Sequence, residues 1–273
     1  MLGLVTASIS VRDFDVDLTG VPRHWIANSA AATAISNGVN LLFPHGERFF
    51  VRSVKYFLDR IDDAELRAQI KAFFGQEGRH AHAHDGFNAV LRAHGYEIDE
   101  FLATYKRLTD WLEARTPPKL RLAVTAASEH FTATLAEGAF KHAVLDASDP
   151  RMQLLLAWHA AEEIEHKHVA FDVLQAVDPS YALRVAGLIY ATVTLGGFWF
   201  AAARMLLRQD GLSLWQAAKQ MRAMPKRDPV LRRVFIGGIR QYLRRDFHPD
   251  DIDNRGLAEA WFSARGMRLP EAA

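Results

Sequence analysis

Residues 158–172 read WHAAEEIEHKHVAFD. Glu163 and His166 are three apart, which puts them on one face of a helix, and His159 lies one turn earlier on the same face. Glu162, Glu165 and His168 are also present, so a second register pairs Glu165 with His168. An upstream stretch chooses between them. Residues 76–87, QEGRHAHAHDGF, place Glu77 and His80 three apart, with His84 one further turn along. The trio His159, Glu163 and His166 mirrors Glu77, His80 and His84, so Glu163 with His166 is the preferred register.

Two lone glutamates complete the pattern. Glu47 lies in LLFPHGERFFVRSV (41–54) and Glu129 in LAVTAASEHFTATLAE (122–137). A carboxylate on an apolar helix is costly unless it is paired or bound to a metal. One Glu-x-x-His arises by chance in many helices. Two of them, interleaved with single glutamates, describe a helical bundle that holds two metal ions. The intervals between the four sites are 30, 52 and 34 residues, each long enough for a helix and its return. The long middle interval holds an extra helix and fits the crossover of a ferritin-like bundle. The expected fold is all-α: a ferritin-like four-helix bundle with additional C-terminal helices. Its expected metal residues are Glu47, Glu77, His80, Glu129, Glu163 and His166. His84, His159 and Glu162 are further ligands or groups that orient the ligands.

Composition narrows the chemistry. The chain has 273 residues and no cysteine, which excludes zinc-thiolate sites, iron–sulfur clusters and cysteine nucleophiles. A metal must then be held by His, Asp and Glu, a set that suits iron, manganese or zinc. No serine nucleophile elbow and no His-Glu-x-x-His helix occurs. Net charge is +1, so the whole molecule is no polyanion binder and nucleic acid is not an expected partner. The segment MLGLVTASISVRDFDVDLTG lacks a basic n-region and carries Arg12 and Asp13 early; it does not read as a signal peptide, and a cytoplasmic protein is expected.

Residues 1–22 alternate apolar and polar and read as an extended arm. Helices are expected over about 25–60 with a break or kink at Pro44, 63–94, 98–115, 119–146, 150–179 and 180–209. Residues 23–179 then form the metal-binding bundle, and 180–273 an apolar helix followed by basic helices packed on it. Residues 185–203, VAGLIYATVTLGGFWFAAA, run without a charge and would reach roughly 28 Å as a helix. Beyond them stand Lys219, Arg222, Lys226, Arg227, Arg232, Arg233, Arg240, Arg244 and Arg245. The helix reads either as a core or homo-oligomer interface, or as peripheral contact with the inner face of a membrane.

The ligand order resembles the ferritin-like di-iron carboxylate superfamily. More narrowly, FPHGERFF, QEGRHAHAH, TAASEHFTA and WHAAEEIEHKHVAFDV resemble the bacterial family labelled predicted metal-dependent hydrolase, over about residues 20–240. The superfamily implies two irons, dioxygen chemistry and an electron donor. The family label implies hydrolysis by a metal-activated water. The expectation taken forward is a di-iron oxidase or oxygenase acting on a small or hydrophobic substrate, fatty acyl groups included. A metal-dependent hydrolase is the alternative, and a non-catalytic metal-binding bundle the third reading.

Overall fold

The computed structural model describes residues 9–224 and 236–267. Eleven α-helices are found among them. They are α1 (Ala30–Asn40), α2 (Phe43–Lys55), α3 (Ala64–Ala93), α4 (Asp99–Arg115), α5 (Pro118–Lys141) and α6 (Pro150–His166). The others are α7 (Val169–Val177), α8 (Tyr181–Gln209), α9 (Leu214–Ala223), α10 (Gly238–Tyr242) and α11 (Arg255–Ser263). No strand is formed among the described residues; a lone bridge pairs Ile26 with Ser148. The fold is all-α.

Helix ends follow local chemistry. Asp63 accepts from the backbone N–H of Glu65 and Leu66 and starts α3, which stops before Gly95 at φ +82°. Asp149 caps α6 and Pro150 opens it, a position where the missing N–H costs nothing. Pro44 likewise stands in the first turn of α2, so it begins a helix instead of kinking one. The helix expected at 150–179 divides at Lys167 and His168 into α6 and α7. At this turn the buried Lys167 ammonium donates to the Ile252 carbonyl and to Asn254 Oδ1, so the C-terminal segment is tied to the break.

Helices α2, α3, α5 and α6 close a ring: α2 packs on α3 and α5, and α6 packs on the same two. These four carry the expected metal residues. Helix α4 lies across α2 and α5, α7 lies on α3 and α5, and α11 covers α6. Residues 9–18 of the arm form neither helix nor strand, and Phe14 stacks on Trp158 with ring centroids 4.3 Å apart; residues 1–8 lie outside the described residues.

Helix α8 packs along α5 and α1. At Gly187 the approach is so close that a Cβ would sit 2.4 Å from the Ala123 backbone; Gly196 and Gly197 face open space. The opposite side exposes Ile189, Tyr190, Val193 and Phe200. Among the described residues α8 is the one helix long and apolar enough to cross a membrane, and only 28% of its most apolar window is buried. The core expectation therefore describes one face of this helix. Of the basic stretch, Lys226, Arg227, Arg232 and Arg233 lie outside the described residues.

Candidate metal centre

The six expected ligands meet inside the ring. Glu47 comes from α2, Glu77 and His80 from α3, Glu129 from α5, and Glu163 and His166 from α6; none is more than 3% exposed. His166 Nε2 lies 3.1 Å from Glu77, 3.2 Å from Glu129 and 3.6 Å from Glu163. His80 Nδ1 lies 3.7 Å from Glu77 and 3.9 Å from Glu163. Two overlapping clusters result, Glu47–Glu77–His80 and Glu77–Glu163–His166, sharing Glu77.

The atoms facing this space are orphans. Both carboxylate oxygens of Glu47, Glu77 and Glu129 lack a hydrogen-bond partner, as do His80 Nδ1 and His166 Nε2. Buried carboxylates left without partners are strongly destabilising. Three of them converging beside the Glu163 carboxylate is tolerable only if cations or protons fill the gap. Four carboxylates and imidazole nitrogens balance and ligate two divalent ions, so the donor set fits such a pair.

The outer nitrogen of each histidine is held. His80 Nε2 lies 3.0 Å from Glu162 Oε2, and His166 Nδ1 lies 2.8 Å from Gln76 Oε1. Each acceptor draws the ring proton outward and leaves the lone pair pointing in. Glu162 thus takes the orienting position, turned away from the carboxylate cluster. Arg12 from the arm donates to Glu162 at 3.3 Å and to both oxygens of Glu165 at 2.7 and 2.8 Å. Gln76 also donates to Glu165, and the Thr132 hydroxyl to Glu163.

The other expected residues separate cleanly. His159 points Nε2 inward, 2.8 Å from Glu163 and 3.6 Å from Glu47. His84 stands behind it, with Nε2 2.6 Å from His159 Nδ1 and Nδ1 against Asn40 Oδ1. In the second register, Glu165 turns to Arg12, and His168 turns to Gln69 at 3.3 Å. Arg12, Gln76, Thr132 and Asn40 have no site role in the sequence reading. None shares a motif with its partner, and Arg12 lies 150 residues from Glu162.

A family model described as predicted metal-dependent hydrolase matches residues 10–253. The chain belongs to this family. No curated protein and no solved structure matches it, so the ferritin-like likeness rests on the ligand order and the ring of four helices alone. Membership of the metal-dependent hydrolases corrects the di-iron oxidase expectation. That expectation came from the superfamily, and the donor set does not enforce it: oxygens and imidazoles that hold iron also hold redox-inert cations.

The electrostatics of this hydrolase-family site agree with a missing positive charge. Burial, then the charges of Glu77 and Glu163, push Glu129 up to about 8. Burial, then Glu77, raises Glu47 as well. Burial alone would depress His80, but Glu162 and Glu77 override it and lift the ring to about 10. His166 is raised in the same way by Glu129, Glu163 and Glu77. Without metal, protons do the neutralising.

A small pocket of about 30 Å³ opens between α2, α4, α5 and α8, and none of the six expected ligands lines it. It reaches Gly46 and Ser128, the residues just before Glu47 and Glu129. Tyr105 lines it, with its hydroxyl 3.4 Å from where a Gly46 Cβ would stand. Burial, then the Glu47 charge, raises the Tyr105 phenol.

Proposed function

We propose that this chain hydrolyses its substrate at two divalent metal ions held by Glu47, Glu77, His80, Glu129, Glu163 and His166, with His159 as a third nitrogen donor on the Glu47 side. The observation that supports this reading most is the set of orphaned ligand atoms, eight from five residues, in a chain of a hydrolase family. Bound there, the ions supply Lewis acidity that makes water a nucleophile near neutral pH and steadies the leaving group. Glu162 and Gln76 keep the His80 and His166 lone pairs aimed inward. Thr132 fixes one oxygen of Glu163. The ligands themselves are buried, which keeps bulk water from the centre. In the net reaction the water oxygen joins the electrophilic centre of the substrate. One water proton leaves with the departing group.

Zinc, manganese and ferrous iron all suit these donors, and hydrolysis requires no change of oxidation state. The test is turnover by protein reconstituted with zinc, under anaerobic conditions, against ester, amide and phosphodiester panels. Hydrolysis of one class that is abolished by chelator and restored by zinc is the expected result. Failure across all panels with zinc and with manganese, in protein that binds both, would overturn the reading.

A further inference from the structure

Helix α8 bears none of the ligand residues and leaves one side uncovered. Along that side Ile189 is 58%, Tyr190 41%, Val193 67% and Phe200 58% exposed. Ile189, Val193, Gly197 and Phe200 follow one another at steps of three and four residues, so they form a single stripe. Between the buried Arg184 and the exposed Arg204 the helix carries no charge. Taking such a stripe out of water is favourable.

Both ends of the stripe are basic. Arg204 and Arg208 continue it at four-residue steps and are exposed. At the other end the Tyr181 hydroxyl donates to the Leu243 carbonyl at 2.8 Å, and the Arg245 guanidinium stands 4.4 Å over the Tyr181 ring. Arg204, Arg208, Arg240 and Arg245 have no carboxylate partner among the described residues, whereas Arg244 pairs with Asp246. Helix α9 touches α8 and adds exposed Leu214 and Trp215, with the Lys219 ammonium 5.8 Å over the Trp215 ring. The occupant of this face must therefore be apolar across its middle and anionic at both ends. A second copy fails that test: in either direction along α8, basic ends would meet basic ends. A full span fails as well, because α8 would have to leave α5 and α1, on which it closes at Gly187 and against Gly38.

We propose that the outer face of α8 docks on the surface of an anionic phospholipid bilayer. The helix lies in the plane of the interface, with Ile189, Val193 and Phe200 against the acyl chains and the arginines at its ends against the headgroup phosphates. Tyr190 and Trp215 suit the boundary between the two. Because α8 packs along α5, which carries Glu129, attachment holds the metal centre beside the lipid.

Flotation of the full chain with vesicles is the test. Vesicles of phosphatidylglycerol mixed with phosphatidylcholine should carry the protein upward, and phosphatidylcholine alone should bind it at least about tenfold less. Added salt should weaken the binding to anionic vesicles. Arg204→Gln combined with Arg208→Gln should weaken it about 10- to 30-fold. Val193→Asp combined with Phe200→Asp should weaken it at least about tenfold, with helicity and metal content unchanged; Ile189→Asn serves if that pair does not fold. Light scattering of the lipid-free protein reads the rival occupant. A parent chain that stays below the vesicles, equal flotation with the two lipids, or either pair of variants floating like the parent would overturn the proposal. So would a dimer in solution that Val193→Asp dissociates.

Discussion

His80 shows how a single side chain divides its work. Its Nδ1 faces the carboxylate cluster without a partner, while its Nε2 meets Glu162, which Arg12 holds from behind. Glu162→Gln removes the charged acceptor and lets an amide N–H face the ring. Partners of this kind typically change metal affinity about 10- to 100-fold. Chelator competition should show a loss in that range for Glu162→Gln, with helicity unchanged; unaltered affinity would remove Glu162 from its orienting role. Glu129 and Glu137 make a cleaner pair. Both sit on α5, but Glu129 points its orphaned oxygens inward, whereas Glu137 pairs with Lys141 and Asn254. Elemental analysis should find a lower metal content in Glu129→Ala and the parental content in Glu137→Ala. Equal contents would sink the assignment of Glu129.

Between helices, small residues set the distances. Gly187 lets α8 close on the Ala123 backbone of α5, and Gly38 lets α1 close on Ala203. Gly187→Ala puts a methyl where none fits, so the helices must part, at a cost of about 1–3 kcal/mol in overpacking. Denaturant titration should report that loss; a stability equal to the parent would mean that α8 yields freely. The ligand-bearing positions on these helices are legible in the chain because three-residue spacing is a property of one helix and needs no knowledge of its neighbours. Glu163 over Glu165 can be read for the same reason, from the mirror relation to His80 and His84. The break between α6 and α7 cannot. The stretch HKHVAFD holds no glycine or proline, and the turn is tied through Lys167 to a segment some 85 residues away. Gln76 and Arg12 are hidden likewise, and the small pocket is assembled from four helices, none of which shows it alone.

Charge and protonation act on the molecule as a whole. Glu129 titrates near 8 in the metal-free fold against 4.5 as a free side chain. Its proton is thus bound more tightly by the folded state. The stability it contributes is full below pH 4.5 and is lost as pH rises through 8. His80, near 10 against 6.5, contributes fully below pH 6.5 and loses that contribution through pH 10. Both windows run the same way. Metal-free protein should lose melting temperature between about pH 7 and 10, above the range in which buried histidines such as His130 lose their protons, and loaded protein should resist that loss, because metal binds deprotonated ligands. A chelated sample that gains stability over the range would contradict these protonation states. The arm bears on assembly of the same centre. Arg12 must find Glu162 and Glu165, and Glu47 must find His159. On a ribosome adding about 5–20 residues per second, the interval between those partners is on the order of ten seconds. Throughout it the early carboxylates have no complete set of companions. The nascent chain therefore cannot capture both ions as it emerges, and loading belongs to the finished chain, after α6 has closed the ring.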